Sequence, residues 1–177
     1  MLVRGLMHAL SAEYLFFKGA GYMPGSNVSA GLTFDATKLA LMNDGQPAEH
    51  EWPYQQSQPL PWVAPAVGKI WKGDLLFLED SSPAAAQKAS LMQPPFVLAV
   101  KLTSDFFTVP KPSFAIPSHG SGFGGHAVLV VGLGRDTAGE MHFLIRNSWG
   151  ETWGDHGHAW LPVSYLKDKL IGVGTIL

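Results

Sequence analysis

The order of patterns along this chain predicts an α+β fold, with helical spacing mostly in the first half and apolar β-runs mostly in the second. Two of those runs matter most: Gly124-Gly125-His126-Ala127-Val128-Leu129-Val130-Val131-Gly132, and Phe143-Leu144-Ile145-Arg146-Asn147-Ser148-Trp149-Gly150. Each carries one polar residue that the run itself does not need. His126 stands at the entrance of the first, after a glycine cluster, and Asn147 at the exit of the second, before a Ser-Trp-Gly turn. Paired as an antiparallel hairpin, the start of one run lies beside the end of the other. That brings imidazole and carboxamide within hydrogen-bonding range.

Taken in order, the first seventeen residues read as helical or partly helical, with Leu6, Met7, Leu10, Tyr14 and Phe17 near three-to-four spacing. Gly19 to Asn27 reads as loop. Leu32 to Asn43 is the clearest helix, with Leu32, Ala36, Leu39 and Ala40 on one side and Gly45 where a C-terminal cap is expected. Gln55 to Pro65 is rich in proline and glutamine and has no period, so the boundary falls there: residues 1–60 form a partial helical lobe and residues 61–177 a β-rich lobe. Lys69 to Glu79 is strand-like. Ser82-Pro83 supplies an N-cap and first-turn proline for a helix through about Met92, which Pro94-Pro95 ends. Phe96 to Leu102 has the composition of a buried strand. Ser104 to Ser121 reads as a loop, with Phe106 and Phe107 suited to the rim of a cleft. After the hairpin come a strand from His158 to Leu161, a helical turn from Tyr165 to Lys169 and a closing strand from Leu170 to Leu177.

The chain of 177 residues suffices for one domain or two small lobes, and 46% apolar residues are ample for a core. A formal charge of −2 points to neither nucleic acid nor an anionic membrane surface, and no apolar run reaches bilayer-spanning length. Arg4 and His8 interrupt the apolar part of the N-terminus, which makes it a poor signal peptide. The cysteine count is zero. Nothing therefore indicates an oxidising compartment; the location stays open, with the cytoplasm favoured.

The chemical use of His126 and Asn147 is definite: a neutral imidazole can take a proton from a nucleophile, and a carboxamide can hold the ring in one tautomer. Gly-His-Ala-Val-x-x-Val-Gly followed by Asn-Ser-Trp-Gly-x-x-Trp-Gly-x-x-Gly resembles the second half of the papain family of cysteine peptidases, with Trp149, Gly150, Trp153, Gly154 and Gly157 all at the family's positions. The resemblance implies a papain-like two-lobe fold with a truncated helical lobe and an antiparallel, barrel-like β lobe. It further implies a peptide or protein as substrate or ligand, and no cofactor. Within it, His126 is the base, Asn147 orients it, and Trp149 shields their hydrogen bond from water. Leu10 to Phe17 looks like the segment that follows the long catalytic helix in bacterial members, and Gln46 to Tyr54 like the connection between the lobes.

Rival readings of the same residues are weaker. Gly120 to Gly125 matches Gly-x-Gly-x-x-Gly, but a loop precedes it and a β-run follows, which does not put phosphate at a helix N-terminus; the cluster reads instead as a hinge that gives His126 room at the cleft edge. His156 and His158 lack a third nearby ligand, so no metal is expected; the resemblance implies that His158 takes the packing place of the aromatic residue that commonly follows this glycine in the family. No Gly-x-Ser-x-Gly is present, and Ser118 and Ser121 lie in loop without an activating helix N-terminus. Trp153 is read equally well as core filler or functional residue.

The resemblance covers nearly all of this chain but not all of the family's domain. The family's nucleophilic cysteine, on a segment with an oxyanion-hole glutamine, would fall before Met1, and nothing here substitutes for it. Three readings follow: the larger part of a papain-type peptidase whose start, or a separately encoded piece, lies outside this sequence; a pseudo-peptidase that binds peptide or protein without cleaving it; and a structural protein with incidental similarity. The same thioester chemistry serves hydrolysis and acyl transfer alike. A truncated helical lobe would also expose apolar surface around Leu2, Leu6 and Met7 to a covering partner. In a triad that acts as a unit, loss of the nucleophile costs about six orders of magnitude in turnover. The 177-residue chain, incubated with peptide substrates and with a thiol-directed probe, is therefore expected to show neither turnover nor labelling.

Overall fold

The computed structural model describes residues 9–23, 25, 31–55, 63 and 66–177, which divide into two compact units: residues 1–76 with 176–177, and residues 77–175. The expectations placed on residues 1–8, and most of those on the 55–65 boundary, lie outside the described residues.

In the first unit, helix α1 (Ala12–Gly21) begins later than the spacing suggested. Ser11 is its N-cap and accepts from the Tyr14 amide at 3.0 Å, so Leu10 lies outside the helix, in a single bridge to Ala48. The helix also runs through Gly19 and ends at Gly21, so the expected loop starts later. A Cβ at Gly19 would meet the Leu32 side chain, which would have to shift to admit it. Ser11 is a hub: its hydroxyl donates to the Trp52 carbonyl at 2.6 Å, and its own carbonyl accepts from Gln46 Nε2 at 2.9 Å. Tyr14 and Phe17 close on the Trp52 indole at centroid distances of 5.7 and 5.2 Å. Helix α2 (Phe34–Asn43) is capped by Thr33, and Gly45 follows it at φ 70° with its amide on Ala40, as a C-terminal cap requires.

The sheet order is β1-β6-β2-β3-β4-β5, from β1 (Leu75–Glu79), β2 (Phe96–Leu102), β3 (Phe123–Arg135), β4 (Met141–Arg146), β5 (His158–Pro162) and β6 (Leu170–Ile176), with β2 to β5 wholly in the second unit. The strand-like stretch from Lys69 contributes only its last five residues to β1, with Trp71 in an isolated bridge to Gln46. Helix α3 (Pro83–Ser90) starts where Ser82 and Pro83 predict, with Ser82 Oγ accepting from the Ala85 amide at 3.1 Å. It stops at Ser90, before the Pro94-Pro95 pair can act. Residues expected as loop from Ser104 open with one helical turn, α4 (Ser104–Phe107). A 3₁₀ turn (Val163–Tyr165) and α5 (Leu166–Lys169) occupy the place of the expected helical turn.

The alternation of side chains sorts the sheet into a buried and a solvated face. Val128 and Val130 of β3, Phe143 and Ile145 of β4, and Phe96, Leu98 and Val100 of β2 all point into one core. Phe96 and Phe143 meet edge to face at 5.9 Å. Lys169, 2% exposed, sends its ammonium group to the Ser118 carbonyl at 2.9 Å and to Asp168 at 2.9 Å, tying the loop ahead of β3 to α5.

Tyr165 is fully buried, and its hydroxyl donates to the Lys101 carbonyl at 2.8 Å. Burial pushes its phenol above the ordinary value of 10.0. The unfolded chain thus gives up this proton before the folded one does. The stabilisation is complete below about pH 10 and is lost as pH rises towards the folded value. Urea unfolding at stepped alkaline pH is expected to show stability falling above pH 10 more steeply for the wild type than for Tyr165→Phe.

Candidate active site

Parity places the two polar residues before any contact is considered. His126 is two positions ahead of the buried Val128 and Asn147 two beyond the buried Ile145, so each occupies the next core-facing position at the rim of the sheet. The β3–β4 register pairs Leu129 with Arg146 and Val130 with Ile145. Carried one step further, it sets Val128 opposite Asn147, which makes His126 and Asn147 diagonal neighbours on one face, within reach of such side chains.

The expected juxtaposition is present: His126 Nε2 lies 2.8 Å from Asn147 Oδ1. The amide orientation is fixed independently, because the Ser148 backbone N–H, which can only donate, meets the same oxygen at 2.8 Å. Oδ1 is therefore an acceptor twice over, and Nε2 must carry the hydrogen. In the neutral ring Nδ1 is then the bare acceptor, and among the described residues nothing is bonded to it. Asn147 is 8% exposed, and its Nδ2 is buried without a partner among the described residues. An orphaned donor of this kind costs about 1–3 kcal/mol, so the geometry at Oδ1 is held against a penalty.

The turn after Asn147 is what presents Trp149. The Asn147 amide bonds the Gly157 carbonyl at 2.9 Å, and the Gly157 amide bonds the Trp153 carbonyl at 2.8 Å. Gly154 holds φ 58° inside this turn, where a Cβ would collide with the His158 carbonyl oxygen. The half-buried Trp149 indole lies 4.9 Å from the imidazole at 38° between planes. Trp153 is buried, and its indole N–H donates to the Phe106 carbonyl at 2.6 Å, so it fastens the turn to α4. Phe106, fully buried, touches His126, Trp149, Trp153 and Tyr165 at centroid distances of 6.5, 6.4, 6.0 and 5.9 Å.

The glycine cluster before His126, expected as a hinge, is partly taken up into the sheet. Gly124 and Gly125 belong to β3, which starts at Phe123, and the β2 register jumps from Lys101↔Gly125 to Leu102↔Phe123. Gly124, at φ 55°, is the extra residue of a β-bulge, the device that re-aims side chains beside functional sites. Ser118 and Ser121 stand outside the His126–Asn147 pair, with no hydrogen bond to either. His158 turns its Nδ1 to the His156 carbonyl at 3.0 Å, a local turn contact. Among the described residues, Asp136, Glu140 and His142 gather at the β3–β4 turn. There Asp136 Oδ1 accepts from the Ala138 and Glu140 amides at 2.9 and 2.8 Å, as in an ordinary turn, and Glu140 Oε1 accepts from the Ser164 amide at 3.2 Å in the 3₁₀ turn.

Nitrogen-15 spectra of His126 in its neutral form are expected to show a protonated Nε2 and a bare Nδ1, with the Nε2 proton protected from exchange. Asn147→Ala should release that proton to rapid exchange; a ring protonated at Nδ1 in the wild type would contradict the geometry.

Residues 20–168 match the sequence model described as papain family cysteine protease. A cathepsin L-like peptidase of Aedes aegypti is 30% identical over 135 residues, covering 75% of this chain and 39% of that protein. A senescence-specific cysteine protease of rice (Oryza sativa subsp. indica) is 33% identical over 131 residues, covering 72% of this chain and 37% of its own. The chain thus spans about two-fifths of the length of these curated relatives. Among solved structures, xylellain, a cysteine protease from Xylella fastidiosa, superposes with a TM-score of 0.70 at 22% identity, over 97% of this chain and 71% of that one. Bromelain from Ananas comosus, solved with an inhibitor, gives 0.60 at 21% identity, over 96% and 80% of the two chains. These structures share the α+β, papain-like fold, and the chain belongs to the papain family of cysteine proteases.

Proposed function

We propose that this chain supplies the base half of a papain-type peptidase site and is inactive by itself, since the sequence holds no cysteine. One observation carries the reading: the Nε2–H of His126 is committed to an Asn147 oxygen that Ser148 independently fixes, which leaves Nδ1 as the proton acceptor. A thiol presented to Nδ1 from residues outside this sequence would lose its proton there and form a thiolate–imidazolium pair. The thiolate would then attack a peptide carbonyl carbon, and the imidazolium would return the proton to the departing amine. Throughout, Asn147 keeps the ring from rotating, and the Trp149 indole keeps water off one face of the His–Asn bond, which lowers the local dielectric and strengthens it. The partner in this reading is a peptide or protein substrate, together with the segment or separate chain that carries the thiol.

The complete absence of cysteine favours a second reading, a catalytically dead module that binds a peptide or protein without cleaving it. The reading frame ahead of the Met1 codon separates the two. An in-frame stretch of the form Gln-x-x-x-Cys is expected, and the longer product should hydrolyse peptides and take up a thiol-directed probe. In that product His126→Ala should lower turnover by about six orders of magnitude, and Asn147→Ala by less. An in-frame stop codon, with peptide binding but no turnover, would support the binding module instead.

A further inference from the structure

Two large apolar side chains of the second unit are left in solvent and connect to His126 through Trp149. Phe107 is 55% exposed and Phe123 is 52% exposed. Phe107 follows the fully buried Phe106 on α4, and the rotation of about 100° per helical residue turns it outwards. Phe123 reaches the same place through the bulge. In a regular strand, residues 123 and 126 point to opposite faces. Gly124, the extra residue, reverses that parity and brings Phe123 onto the face of the imidazole.

The result is a ladder of flat rings. Phe123 stacks on Phe107 at 6.1 Å with 5° between planes, and Phe107 stacks on Trp149 at 5.1 Å and 19°. Trp149 in turn lies against His126 at 4.9 Å. Exposed aromatic surface that is ordered by its own stacking, and continuous with a candidate catalytic group, is preorganised for an apolar ligand. The chemistry sets which part of a peptide meets it. The departing amine takes its proton from the imidazole, so the chain that begins at that amine passes the imidazole and enters the ladder.

We propose that the Phe123–Phe107–Trp149 ladder selects an aromatic or large aliphatic side chain on the leaving-group side of a bound peptide. The proposal rests on the papain-type reading of His126 and Asn147 and names the substrate class of that same site. A carboxylate at this position would be desolvated against the Phe107 and Phe123 rings, which offer it no donor, and an aromatic ring would extend the stack.

The test measures binding of two peptides to the 177-residue chain, identical except for phenylalanine or aspartate directly after the candidate cleavage position. Titration calorimetry is read together with the indole resonance of Trp149. The phenylalanine peptide is expected to bind about tenfold or more tightly and to shift the Trp149 resonance. Phe107→Ser and Phe123→Ser should each bring the affinity ratio towards one, while Phe107→Leu keeps most of it. Because both rings are half in solvent, unfolding curves should show both serine variants folded, and either alone suffices for the test. Equal affinities in the wild type, or a ratio unmoved by both serine variants, would overturn the ladder as a selector and leave the papain-type reading standing. Binding of neither peptide, by the wild-type chain or by the longer product, would overturn both.

Discussion

Everything proposed for this chain depends on one hydrogen bond, from the His126 Nε2–H to the Asn147 side-chain oxygen. An imidazole is a useful base only when one nitrogen is reliably bare, and an unconstrained ring shares its proton between two sites. The Asn147 oxygen removes that freedom because it can only accept, and the Ser148 amide prevents the carboxamide from turning its nitrogen to the ring instead. Among the described residues Asn147 Nδ2 is a buried donor without a partner, so the arrangement carries a local cost.

The aromatic surroundings hold that bond in place from two sides. Phe106 and Trp153 are structural: one is fully buried against four other rings, and the other bonds the Phe106 carbonyl through its indole nitrogen. Together they fix α4 to the turn that follows β4. Trp149 stands one layer further out, half-buried over the imidazole, and Phe107 and Phe123 continue it into solvent. A gradient from packed core to exposed ladder within a few side chains lets one cluster both rigidify the histidine and, as proposed, meet a ligand.

Family membership and chemical competence are separate matters in this molecule. The His126–Asn147 hydrogen bond on which the proposed site rests is present, whereas the sequence holds no thiol for it to act upon. A general base by itself contributes about two to four orders of magnitude to a rate, and only when a proton-bearing nucleophile is within reach. Activity is therefore proposed for the chain only together with a thiol supplied from elsewhere.

The sequence by itself determined much of this. Two apolar runs with misplaced polar ends were enough to predict the hairpin and the approach of His126 to Asn147, because strand parity and antiparallel pairing are local rules. Ser82-Pro83 and Gly45 likewise marked helix ends through chemistry confined to one turn. Tertiary structure decided what depends on distant partners. The cap at Ser11 set the start of α1, and its register depends on Trp52 and Gln46, far along the chain. The glycines before His126 read as a hinge, since nothing local distinguishes a flexible glycine from one absorbed into a bulge; the pairing of β3 with β2 settled it. That single inserted residue also decided which face Phe123 occupies. A composition-based reading could not see this, because face is a property of register between strands and not of either strand alone.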